Sequence, residues 1–69
     1  MDYIDLIETI EFQSSMNWNY VEREGNDRTR FDWYKGSFWV NRDLTIEGHV
    51  PDMVKAELRE LDILITYVS

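Results

Sequence analysis

Residues 29–47, TRFDWYKGSFWVNRDLTIE, decide the fold because apolar and polar side chains alternate along three short runs. Such alternation is typical of β-strands with one buried face, since successive side chains point to opposite sides of a sheet. The runs are separated by Lys35-Gly36 and by residues 41–43, and these residue types form tight turns. Connections this short join antiparallel neighbours. The stretch therefore predicts the centre of an antiparallel meander.

The alternation extends over residues 17–50, which predicts three or four strands and assigns each side chain to a face. The predicted core face consists of Trp18, Tyr20, Phe31, Trp33, Phe38, Val40, Leu44 and Ile46. The predicted outer face consists of Val21, Arg23, Arg30, Asp32, Tyr34, Trp39, Thr45, Glu47 and His49. Because Tyr34 and Trp39 flank one tight turn, we expect them to lie near each other on neighbouring strands.

Helical spacing of apolar residues appears on both sides of the meander. Tyr3, Leu6, Ile7 and Ile10 predict a helix over residues 3–13, preceded by Asp2 as a residue able to cap it. After Pro51 an apolar stripe returns, made of Val54, Leu58, Leu61, Ile65 and Val68. Residues 63–68 are also rich in β-branched side chains, so a fifth strand is the alternative there. We favour helix because no helix-breaking residue follows residues 53–62.

Size and composition complete the prediction of the fold. The chain has 69 residues, of which 43% are hydrophobic and 14% aromatic, enough for one α+β domain over residues 1–69. We predict an N-terminal helix, a meander of three or four antiparallel strands and a C-terminal helix, with both helices on one face of the sheet. No apolar run reaches the roughly 18 residues that span a bilayer, and residues 1–5 lack the positive charge of a signal peptide. We therefore expect a cytoplasmic protein with no membrane partner.

Residues able to support catalysis or metal binding are few. The chain has no cysteine, and His49 is its one histidine. We interpret His49 and Glu47 as an exposed polar pair, because an outer sheet face seldom provides the enclosed site that a general base needs. No spacing of histidines or carboxylates matches a metal site, and the three glycines are too scattered for a phosphate-binding loop. We expect no enzyme activity, no catalytic residue, no metal and no cofactor.

Negative charge is concentrated at the start of the chain. Asp2, Asp5, Glu8 and Glu11 recur at every third position, and no basic residue occurs among the first 22. On a helix this spacing produces a broad negative ridge, within a chain whose net charge is −7. The ridge is either a solvated face that keeps the protein soluble or a surface that meets a basic partner, since opposite charges speed and orient association.

The predicted outer face of the sheet is a second candidate surface for binding. Tyr34 and Trp39 supply aromatic side chains, which are enriched at binding hot spots, and Arg30 and Asp32 supply a charged margin. Alternatively, a second copy of the chain covers this face in a homodimer. Arginines among aromatics also hold single-stranded nucleic acid, but residues 25–50 carry four acidic and four basic residues and therefore no net positive charge. We expect no direct binding of nucleic acid.

Small, acidic, cysteine-free chains of this kind are similar in size and charge to the DNA mimics among phage- and plasmid-encoded anti-restriction and anti-CRISPR inhibitors. The resemblance includes no motif, so it transfers no residue. It implies an interaction protein that inhibits or regulates a partner, a nucleic-acid-processing enzyme, by occupying its basic surface. The alternatives are a homo-oligomeric assembly protein that associates through the aromatic sheet face and a single-stranded nucleic-acid binder that uses the same face.

Overall fold

A computed structural model describes residues 1–68. The elements are α1 (Tyr3–Gln13), β1 (Tyr20–Glu24), β2 (Arg28–Trp33), β3 (Gly36–Asn41), β4 (Thr45–Gly48), α2 (Asp52–Glu60) and β5 (Thr66–Val68). The five strands form one sheet in the order β1-β2-β3-β4-β5. The first four strands are antiparallel neighbours, and β5 lies parallel to β4. The α+β class, the helix over residues 3–13 and the antiparallel meander are confirmed.

Both helices pack against one face of the sheet, as predicted. At the centre, the stacked rings of Phe31 and Phe38 lie 5.0 Å apart and are fully buried. The core consists of Tyr3, Leu6, Ile7, Ile10, Phe31, Trp33, Phe38, Val40, Ile46, Val50, Val54 and Leu58. One hydrogen bond crosses it, between the hydroxyl oxygens of Tyr3 and Thr29 at 2.8 Å. The bond satisfies two polar atoms that would otherwise be buried without partners.

The two ends of α1 are set by local hydrogen bonds. The Asp2 carboxylate accepts a hydrogen bond from the Asp5 backbone amide at 2.8 Å, which caps the first turn. At the other end, the Ser14 hydroxyl donates to the Ile10 carbonyl, and Ser15 turns the chain with a φ of +59°. The chain after α1 therefore leaves the helix axis and reaches the edge of the sheet at β1.

A close approach of two backbones joins β3 to the segment that follows β4. The His49 amide donates to the Ser37 carbonyl at 2.9 Å, and the preceding residue, Gly48, has a φ of +105°. A Cβ atom at Gly48 would lie 2.7 Å from the Ser37 carbonyl oxygen and 2.9 Å from the Phe38 Cα. Only glycine fits this position without displacing the backbone.

The predicted helix over residues 63–68 is wrong, and the alternative of a fifth strand is the one observed. Helix α2 ends at Glu60, where Asp62 adopts a φ of +57° and the Ile63 amide donates to the Leu58 carbonyl at 2.9 Å. This arrangement is a helix-terminating motif in which glycine or asparagine usually occupies the left-handed position. Asp62 occupies it here, so composition gave no sign of the stop.

The faces predicted for β1 are also wrong, by one residue. Tyr20 pairs with Asp32 on the outer face, whereas Val21 pairs with Phe31 and Arg23 with Thr29 on the core side. The predicted faces assume that the alternation of the strand begins at Trp18. Residues 14–19 are irregular, however, and the strand begins only at Tyr20. Trp18 nevertheless packs on the core, because its ring lies edge-on against Phe31 at 5.0 Å.

Candidate functional site

The acidic face is made of Asp2, the N-cap residue of α1, and of Asp5, Glu8 and Glu11 along the helix, and none of the four enters the core. Asp2, Asp5 and Glu8 are exposed, and Glu11 is half-buried. Within residues 1–68 the ion pairs are Arg28–Glu24 at 2.8 Å and Arg30–Asp32 at 4.0 Å. None of the four carboxylates of the acidic face is therefore neutralised by an ion pair with a cation of the described chain.

Apolar side chains are interspersed with these carboxylates. Phe12 is 74% exposed and Ile4 is 37% exposed. Ile4, Glu8 and Phe12 are four residues apart, so they lie in line along one side of the helix. Phe12 is not among the binding residues predicted from the sequence, although it falls outside the apolar stripe that predicted the helix. An aromatic side chain off that stripe is the signal that could have identified it.

A groove of about 440 Å³ separates the end of α1 from β1. We call it the aromatic groove and define it by Glu11, Phe12, Met16, Trp18 and Tyr20, which all line it. The Trp18 indole N–H donates to the Glu11 carbonyl at 3.3 Å, which ties the groove to α1. No sequence pattern predicted this groove, because it depends on the irregular path of residues 14–19.

The outer face of the sheet is centred on Trp39. The guanidinium carbons of Arg28 and Arg30 lie 5.5 and 5.6 Å from the centroid of the Trp39 ring, and Arg30 also lies 5.4 Å from the Tyr20 ring. These are cation–π distances. A continuous series of cation–π contacts therefore crosses the first three strands, from Tyr20 through Arg30 and Trp39 to Arg28.

Asp32 is held in place by hydrogen bonds beside these cation–π contacts. Its carboxylate accepts hydrogen bonds from the Ser37 hydroxyl at 2.6 Å and from the Asn19 amide at 3.2 Å. These two bonds, the stronger from Ser37, hold the pKa of Asp32 below its ordinary value, with a smaller contribution from Arg30. Arg30 and Asp32 thus lie together with Trp39 on one face, as predicted.

The prediction that Tyr34 and Trp39 lie near each other is wrong. Tyr34 is in the turn between β2 and β3, 77% exposed, and its ring packs edge-on against Trp33 at 5.4 Å. Trp39 pairs with Arg30, three steps along the ladder from the Trp33–Gly36 pair that closes the turn. Three steps correspond to about 10 Å along a strand. Tyr34 lies in the turn itself, whereas Trp39 lies three ladder steps away from it, so the two side chains are not neighbours on the sheet.

The candidate residues thus form two surfaces that point in opposite directions. The acidic face belongs to a helix that covers the core side of the sheet, whereas Arg30, Asp32 and Trp39 project from the other side. A single flat partner surface cannot contact both. The aromatic groove lies between them, because Tyr20 belongs to the outer face while Glu11 and Phe12 belong to α1.

His49 and Glu47 do not form a pair with each other by hydrogen bonding. His49 Nδ1 lies 3.1 Å from the Lys35 carbonyl oxygen, and a Glu47 carboxylate oxygen accepts from the Asn41 amide at 3.2 Å. His49 and Glu47 therefore have separate partners. Residues 1–68 contain no cluster of three or more side chains suited to hold a metal ion. Neither described helix is long and apolar enough to cross a membrane.

Comparison with known proteins identifies no relative of this chain. No protein-family model, no curated protein and no solved structure matches it.

Proposed function

We propose that this protein acts by binding, and that its acidic face docks on the basic, nucleic-acid-binding surface of an enzyme and blocks it. The observation that carries the proposal is the acidic face itself, with three carboxylates on α1, a fourth at its N-cap, and no ion pair to any of them within residues 1–68. Carboxylates that no cation of the described chain neutralises are available to the lysines and arginines of another protein.

The spacing of the charges supports mimicry of a nucleic-acid strand. Residues three apart on a helix are separated by about 4.5 Å along its axis. Successive phosphates of one DNA strand are separated by about 3.4 Å along the duplex axis. The acidic face therefore presents charge at a density close to that of a phosphate backbone, on a rigid element that is fixed to the core by Leu6 and Ile10.

The test is capture of the target from a cell lysate, followed by binding measurements with charge variants. Glu8→Lys reverses one charge in the middle of the acidic face, and Glu60→Lys makes the same change on an exposed residue of α2. We expect the Glu8 variant to bind about tenfold more weakly and the Glu60 variant to bind nearly as well as the wild type. Binding should also weaken between about 50 and 500 mM salt.

Competition by nucleic acid gives the second readout. If the acidic face occupies a nucleic-acid site, an oligonucleotide substrate of the captured enzyme should displace the protein, and the protein should inhibit the enzyme. Equal losses in the Glu8 and Glu60 variants, or binding that is insensitive to salt, would reject the acidic face as the docking surface.

The alternative of self-association uses the other surface. Trp39 is half-buried by Arg28 and Arg30, and within residues 1–68 no third layer covers this face of the sheet. Sedimentation velocity at micromolar concentration distinguishes the two proposals. A dimer that Trp39→Ala dissociates supports self-association, and a monomer in both proteins rejects it.

A further inference from the structure

The aromatic groove combines two groups that recognise organic cations. The groove is lined by three aromatic residues, Phe12, Trp18 and Tyr20. Half-buried Glu11 lies on the side of the groove that α1 forms. Cations bind favourably over aromatic rings, and carboxylates add direct attraction. The groove is also continuous with the acidic face, because Glu11 belongs to both.

We propose that the aromatic groove receives an arginine side chain from a basic segment of the protein partner. The inference rests on the proposed function and deepens it, because it names the residue type that anchors the partner beside the acidic face. In this arrangement the guanidinium lies over the rings of Phe12 and Trp18, and the negative charge of Glu11 attracts it. The Tyr20 ring already has Arg30 at 5.4 Å from its centroid and completes the wall of the groove.

The preference for arginine over lysine follows from the chemistry of the two cations. A guanidinium is planar, stacks on aromatic rings and is weakly hydrated, whereas an ammonium is compact and strongly hydrated. The chain itself provides examples of this stacking. Arg30 lies 5.4 Å from the ring of Tyr20, a groove residue, and 5.6 Å from Trp39.

The floor of the groove is organised before any ligand arrives. Trp18 lies edge-on against Phe31 at 5.0 Å and Phe38 at 5.6 Å, and its indole N–H is held by the Glu11 carbonyl. Ordering side chains on binding costs affinity, and a fixed tryptophan avoids that cost. Phe12 is 74% exposed, so a ligand that covers its ring also removes apolar surface from water.

The experiment measures the binding of hexa-arginine and hexa-lysine peptides by calorimetry, with the indole N–H signal of Trp18 as the local probe in NMR spectra. The test variant is Phe12→Ala. The control is Met53→Ala, which shortens another exposed apolar side chain (51% exposed) on α2. We expect the wild type to bind hexa-arginine more tightly than hexa-lysine. Phe12→Ala should bind hexa-arginine about two- to fivefold more weakly than the wild type, whereas Met53→Ala should bind it as tightly as the wild type.

The outcomes separate this inference from the proposed function. If Phe12→Ala binds hexa-arginine as tightly as the wild type, or if the Trp18 signal does not shift, the groove does not receive the arginine. The proposed function survives that result as long as Glu8→Lys weakens binding of both peptides. If neither peptide binds the wild type at low salt, both proposals fail.

Discussion

Replacing Gly48 by alanine should destabilise the domain more than any comparable change at a surface turn. The substitution forces a Cβ atom to within 2.7 Å of the Ser37 carbonyl oxygen, at a residue whose φ is +105°. The unfavourable φ costs about 1–3 kcal/mol. Displacing the backbone of β3 adds about 1–3 kcal/mol. The expected loss of about 2–6 kcal/mol is large for a small domain, whose free energy of unfolding is about 0.05–0.15 kcal/mol per residue.

Urea unfolding followed by tryptophan fluorescence measures this loss. Small proteins lose about 1–3 kcal/mol of stability per molar urea, so the midpoint should fall by at least about 0.7 M. Gly25→Ala is the matched control, since Gly25 also has a positive φ, +68°, but a Cβ atom there would meet no atom within 4 Å. The control should lose only about 1–2 kcal/mol. Equal losses in the two variants would refute the close approach at Gly48, whereas an unfolded Gly48 variant beside a folded Gly25 variant supports it.

Substitutions at three further sites test hydrogen bonds within the fold. Ser37→Ala should raise the pKa of Asp32 toward its ordinary value, as measured by an NMR pH titration of the carboxyl carbon, and an unchanged pKa would contradict the assigned cause. Because the folded-state pKa of Asp32 is lowered, its stabilisation is present above pH about 4 and is lost as pH falls through the lowered pKa. Tyr3→Phe leaves the buried Thr29 hydroxyl without its partner and should cost about 1–2 kcal/mol in urea unfolding. The double variant Tyr3→Phe/Thr29→Val should lose less stability than the sum of the losses of the two single variants. Strictly additive losses would argue against the bond. Asp2→Ala should lower the free energy of unfolding by about 1 kcal/mol, because the cap of α1 is lost. Asp2→Asn should retain most of the stability that the cap provides, because asparagine also caps helices. Equal thermal midpoints for the two Asp2 variants would contradict a capping role.

The meander and α1 could be predicted because their determinants are local. In β2 and β3 each core residue is separated from the next by one outward residue, and the intervening turn is only Tyr34 and Lys35. The end of α2 could not be predicted, because it depends on the left-handed conformation of Asp62 and on the pairing of β5 with a strand distant in sequence. The stop at Asp62 has no signature in composition, and the β-branched residues of 63–68 indicate a strand without indicating its partner.

The candidate site likewise contains one part that could be predicted from the sequence and one part that could not. The acidic face follows from a three-residue spacing on a helix, so its four members could be named from the sequence. The aromatic groove could not, because Phe12 and Tyr20 belong to different elements and meet only through the irregular segment between α1 and β1. The position of Tyr20 on the outer face could not be predicted either, because the alternation begins at Tyr20, where the strand starts, and not at Trp18.

The parallel addition of β5 also bears on the order in which the chain folds. The first four strands are joined by short turns, which close rapidly and cost little chain entropy. β5 reaches the sheet only after residues 49–65 have crossed over, and its three residues are exposed. We therefore expect the meander to form early in folding, and β5 to join it late and detach first. Native-state hydrogen exchange should separate these two cooperative units, with the amides of β5 exchanging through local opening and those of β2 and β3 only through global unfolding.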